Sequence, residues 1–251
     1  MPGSLTTILL YALIPALAIV VGGVAATMRV PGAKTRSAVQ HLAAGIVFAA
    51  VAVELLPEIL HDHSPLATIL GMALGVGTMF GIKRLVEGKK APSSSDSEEN
   101  VKSPNSLLVT LGVDVLIDGL LIGVGFAAGA KQGLLLTIAL AGEVLFLGVS
   151  AAAALGKSGA SRTRILSVVV GLGVTLLIGA GIGGSLLSGL EGFALDVVLT
   201  FGAAALLYLV TEELLVEAHE EPDSPALSAM FFVGFTTLLV LEMLVTGRTG
   251  S

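Results

Sequence analysis

Residues 107–126 read LLVTLGVDVLIDGLLIGVGF, twenty residues of almost unbroken apolar character interrupted by Asp114 and Asp118. A helix of about 20 apolar residues crosses the hydrocarbon core of a bilayer. An ionised aspartate at the centre of such a helix costs roughly 2.5–3.5 kcal/mol on insertion scales, so acids in this setting usually serve a pathway or a ligand. Asp114 and Asp118 are four residues apart, which places both carboxylates on one helix face.

The rest of the chain has the same character. It is 54% hydrophobic and 13% charged, about half the charge of an ordinary soluble domain, with a mean hydropathy of +0.96. Eight apolar stretches are long enough to span, at roughly 5–28, 39–60, 65–86, 105–130, 132–156, 163–189, 193–217 and 225–246. The expectation is an all-α polytopic membrane protein, with 1–251 forming a single transmembrane domain embedded in lipid. The first stretch lacks a basic n-region and a small-residue cleavage site, so it reads as a retained helix. Residues 87–104, EGKKAPSSSDSEENVKSP, form the one long polar loop. With no cysteine, disulfides and thiolate metal sites are excluded. The net charge of −6 gives no reason to expect nucleic acid.

Lys and Arg set the orientation. The loops after spans one, three and five hold eleven of them, whereas the opposite side has only Lys131 and Arg248. The first set is therefore expected to be cytoplasmic and both termini outside, in the cell (plasma or inner) membrane. An internal repeat fits this topology. Span two ends in Glu54-Leu55-Leu56-Pro57-Glu58 and span seven in Glu213-Leu214-Leu215-Val216-Glu217, each followed by an acidic, His-containing loop closed by Ser-Pro. Span two would exit outside and span seven inside, the signature of an inverted repeat, a plan that in secondary transporters places the substrate near the midplane.

The other membrane acids are Glu143 in span five (LTIALAGEVLFLGVS, 136–150), Glu54, the neighbours Glu212 and Glu213, and Glu242 in span eight. Only one of Glu212 and Glu213 is expected to face a pathway, while Glu58, Glu217 and Glu242 read as interfacial or loop-facing. No Lys or Arg lies in the interior of a span, so the acids are expected to lack built-in basic partners and to need a cation or protons. The four histidines, His41, His61, His63 and His219, fall at span ends or in loops; His61-Asp62-His63 is a candidate metal collector at an entrance. Enzyme chemistry finds no support. A metalloprotease needs a motif such as H-E-x-x-H, which is absent, and a serine nucleophile would lack a membrane-embedded histidine base.

At these residues the chain resembles the ZIP (Zrt/Irt-like) family of divalent metal transporters. The span-four motif of that family, H-N-x-P-E-G, corresponds to Asp114-Val115-Leu116-Ile117-Asp118-Gly119. The span-five motif, H-E-x-P-E-G, anchored on Gly148, puts Glu143 at the His position and Leu147 at the second acid; a one-residue shift puts Glu143 at the second position instead. LAAGIVFAAVAVELLPE in span two and the acidic end of span seven are also similar to the family. The resemblance implies eight helices as three, two and three, the outer triplets related by inversion, with spans one, four, five and six rocking against two, three, seven and eight. It implies zinc, iron or manganese as substrate, no organic cofactor, and is compatible with a homodimer. It points to Asp114, Asp118 and Glu143 as metal ligands, with Glu54, Glu212, Glu213, His61, His63 and His219 along the pathway. Val115 and Leu147 replace ligating residues, which favours one metal over two. An all-oxygen donor set shifts the weight towards harder ions such as Mn²⁺. The rival expectations are a proton-coupled or other solute transporter built on the same carboxylates, and a homologue that no longer transports.

Overall fold

A computed structural model describes residues 4–28, 32–62, 64–87, 104–186, 189–222 and 224–249. Among the described residues, eight helices are long and apolar enough to cross a membrane, and the chain is an integral membrane protein. They are α1 (Leu5–Met28), α2 (Ala33–Ala50, continued through Val51–Leu55 and Leu56–Asp62), α3 (Pro65–Glu87), α4 (Pro104–Ala128), α5 (Ala130–Lys157), α6 (Arg162–Leu186), α7 (Phe193–Leu209, continued through Val210–Leu214 and Leu215–Ala218) and α8 (Pro225–Thr249). Helix is the form available to these segments because a bilayer core offers backbone groups no water to bond. Leu10, Leu13, Ile14, Leu17 and Val21 of α1 stand exposed along one side, as do Phe232, Val233, Val240, Met243 and Leu244 of α8. Such faces suit lipid.

The packing separates into two groups. α1 packs on α5 and α6, and α4 packs on α5 and α6; separately, α2 packs on α8 and on the end of α7, and α3 on α7. Fewer contacts join the groups, mainly α2 with α5 and α4 with α7. Along their most apolar stretches α5 and α7 are 61% buried, against 22% for α3 and 17% for α8, so α5 and α7 are central and α3 and α8 peripheral.

Within lipid, helices associate through close packing of small residues. The α4–α6 contact shows the requirement. A side-chain carbon on Gly119 would strike the Leu176 carbonyl, and one on Gly179 would strike the Leu116 carbonyl. These are backbone atoms that cannot step aside, so α4 is pressed to α6 at the turn that carries Asp118.

Both α2 and α7 contain a five-residue π-helical segment. In α2 it is Val51–Leu55 and in α7 Val210–Leu214. Glu54 is the fourth residue of the first and Glu213 the fourth of the second. Pro57 lies beyond the first segment, and the second contains no proline, so proline does not explain the shared geometry. Single π turns inside α-helices concentrate at functional sites.

The second helix begins at Ala33, earlier than the expected start at 39. The extra turn at its start brings Ser37 and Gln40 inside the fold and carries His41 into the helix body, where it is buried. The expectation that every histidine sits at a span end or in a loop therefore fails for His41.

Candidate metal centre

Asp114 and Asp118 stand one turn apart on α4, and Glu143 comes from the middle of α5. One carboxylate oxygen from each of the three lies within 4.8 Å of the others. Asp118 and Glu143 are each 2% exposed, and Asp114 is partly buried. Asp118 Oδ2 and Glu143 Oε2 are buried with no hydrogen-bond partner. A buried, unbonded carboxylate oxygen is costly. Among the described residues none of the three carboxylates joins an ion pair. At an effective dielectric of 20, two ionised carboxylates this close repel by about 3–4 kcal/mol, so three such pairs need a bound cation or protons to relieve them.

The donor set fits a divalent cation. Carboxylate–metal bonds of about 2.0–2.2 Å hold two oxygens no more than roughly 4.2 Å apart, and small side-chain rotations bring the trio from 4.8 Å to that spacing. Val115 is fully buried and Leu147 is 9% exposed; both belong to the apolar core and neither offers a ligand. A small cavity adjoins the centre between α4, α3 and α7. Its walls include Asp114, Asp118, Met79, Tyr208 and Glu213, so the cavity runs from the trio towards Glu213.

The remaining expected residues fall into two ends of the molecule. Glu213 is half-buried and lines the cavity, whereas Glu212 points outward and pairs with Lys83 of α3 at 3.3 Å. At that same end His219 is exposed but packs against the buried His41, ring centroids 5.1 Å apart. His41 donates through Nδ1 to the Ser37 carbonyl at 2.9 Å, and His219 does the same to the Leu215 carbonyl. Around them Gln40 bonds to Glu217, Ser37 Oγ donates to the Ala218 carbonyl at 2.7 Å, and Arg36 pairs with Glu220 at 2.7 Å. The start of α2 is thereby tied to the end of α7. At the opposite end, His61 is exposed; His63 lies outside the described residues.

One expectation is corrected here. The membrane acids do not all lack basic partners. Lys131, at the start of α5, reaches Glu54 at 3.8 Å and pairs closely with Glu242, and Lys83 serves Glu212. Both lysines belong to helix ends, and their long stems carry the ammonium groups to acids on neighbouring helices. Glu242, expected to be interfacial or loop-facing, lies within α8 beside the exposed start of α5. Its side chain is 12% exposed and held by Lys131.

Sequence reading did not single out Lys131, His41, Gln40, Met79 or Tyr208. Lys131 carried one signal, being a lone cation at the mouth of an apolar helix whose own acid, Glu143, lies twelve residues away.

Among known proteins, the family model described as ZIP zinc transporter matches residues 87–242. No curated protein matches the chain.

Proposed function

Because the chain belongs to the ZIP family of divalent metal transporters, we propose that it carries a divalent cation across the membrane through a single centre formed by Asp114, Asp118 and Glu143. The observation that carries this reading is the trio itself: three carboxylates within 4.8 Å on two central helices, two of them buried with an unbonded oxygen. A cation resolves both the repulsion and the missing bonds, and metal is the substrate rather than a resident cofactor. The three oxygen ligands leave coordination positions for water, which suits a site that must release what it binds. An all-carboxylate set favours the harder ions of the zinc, iron and manganese class, with manganese ahead of zinc.

The route enters past His61 and Glu54, binds at the centre, and leaves along the cavity past Glu213 and His219. Lys and Arg distribution puts the exit in the cytoplasm and both termini outside. Four ion pairs agree with the strict alternation behind that topology: Arg36 with Glu220, Lys83 with Glu212, and Lys131 with both Glu54 and Glu242 each join residues assigned to one side. We read the fold as an inverted repeat of α1–α3 and α6–α8 about α4 and α5. The matching π segments support this, as does the way contacts pair off: α1 on α5 mirrors α6 on α4, and α2 on α8 mirrors α7 on α3.

Proteoliposomes loaded with a metal-sensitive dye test the assignment. Asp118→Asn should abolish Mn²⁺ and Zn²⁺ uptake while leaving the amount of inserted protein unchanged. Uptake at the unmodified rate would refute the centre.

A further inference from the structure

The outer end of the molecule holds a second arrangement of charge. Glu54 on α2 and Glu242 on α8 belong to one group of packed helices, and Lys131 belongs to α5 in the other. Glu54 has a side chain only 2% exposed, with Oε1 in no hydrogen bond and 3.8 Å from the Lys131 ammonium. That distance is an ion-pair contact, not a hydrogen bond. Lys131 gives its close contact to Glu242 and is itself 40% exposed. One positive charge thus serves two carboxylates, and the buried one is served poorly. A divalent cation matches the pair in charge, whereas an ammonium leaves a net negative charge inside the protein.

We propose that Glu54 and Glu242 form an outer receiving site for a divalent cation, occupied in this conformation by Lys131 as a tethered stand-in. The proposal rests on the transport reading above and adds to it a site and a latch. Lys131 lies twelve residues before Glu143 on the same helix, about 18 Å along its axis at 1.5 Å per residue. Displacing it therefore frees, at its outer end, the helix that carries one ligand of the central trio. Of the ion pairs named above among the described residues, the two that join the helix groups are both made by Lys131, with Glu54 and with Glu242. The cavity beside the trio runs instead towards Glu213, at the far end. The conformation is thus tied by Lys131 at one end, with the small cavity on the other side of the trio, and an arriving metal competes with Lys131 for the carboxylates that do the tying.

The test uses the full chain in detergent with the central trio neutralised by Asp114→Asn, Asp118→Asn and Glu143→Gln, so that any outer site is read alone. Zinc binding is measured by isothermal titration. Adding Lys131→Gln to that background should tighten zinc binding at least tenfold, and further adding Glu54→Gln should remove the gain. Equal affinity with and without Lys131, or a gain that survives Glu54→Gln, overturns the proposal. Should Lys131→Gln fail to fold, Lys131→Arg in the otherwise unmodified chain gives the second reading. A guanidinium can bond both carboxylates at once, so half-maximal uptake in proteoliposomes should need several-fold more zinc, and an unchanged requirement overturns the latch. Loss of the outer site with normal wild-type uptake would sink this proposal and leave the central one standing. Loss of wild-type uptake with the outer site intact would do the reverse.

Discussion

At the residue scale, the function turns on a contrast between two kinds of membrane acid. Glu54, Glu242 and Glu212 each have a lysine from a helix end, while none of Asp114, Asp118 and Glu143 has an ion pair among the described residues, and a fourth acid, Glu213, lines the cavity beside them. Replacing Glu143 with Gln removes a ligand without changing shape. We expect Mn²⁺ affinity, measured by titration in detergent, to fall at least tenfold, while the melting temperature without metal stays the same or rises as repulsion is relieved. A large fall in melting temperature would mark Glu143 as a structural acid instead. Glu213→Gln should leave that affinity within a few-fold and slow uptake, because Glu213 lines the cavity beside the trio and lies outside it. The pairing of Asp114 with Asp118 was legible from helical spacing alone. The arrival of Glu143 was suggested by its being an acid with no evident partner in an apolar helix and by its place in a stretch resembling the span-five motif. The reach of Lys131 was not legible, since a long flexible stem at a helix end can serve any neighbour and no periodicity records which.

At the element scale, the helices are placed by backbone approach and the acids by interruptions of the α pattern. Gly119 and Gly179 meet opposing carbonyls, so a methyl at either forces α4 and α6 apart. Overpacking of this kind typically costs about 1–3 kcal/mol. Gly179→Ala should therefore lower the melting temperature by several degrees and reduce uptake, whereas Gly77→Ala, with nothing within 4 Å of the new carbon, should do neither. A melting temperature raised equally by both, as the higher helix propensity of Ala alone would give, would show that contact does not govern these glycines. The eight apolar stretches could be read from hydropathy because each exceeds the thickness of the bilayer core. The π segments could not. Val51–Leu55 and Val210–Leu214 share E-L-L-x-E with many ordinary helices, and their extra residue is selected by packing between α2, α7 and their neighbours. The early start of α2 escaped for a related reason, since Ser37, Gln40 and His41 are polar by composition and buried only because the end of α7 covers them.

At the scale of the whole molecule, two helix groups pack together beside the carboxylate centre, tied at one end by Lys131 and with a small cavity between the centre and Glu213. The chain has no cysteine, so single cysteines report sidedness cleanly. Ser4→Cys should react with an impermeant maleimide added outside intact cells, and Ser158→Cys only after permeabilisation; the opposite pattern would invert the route proposed here. The most direct test of the central claim is metal flux itself. Purified chain in sealed proteoliposomes, given an outside panel of Mn²⁺, Zn²⁺ and Fe²⁺, should accumulate at least one of them saturably, and Asp118→Asn inserted to the same level should bring uptake to that of empty vesicles. Saturable uptake that is indifferent to Asp118→Asn would contradict the centre, and no uptake of any divalent ion by the unmodified chain would contradict the function.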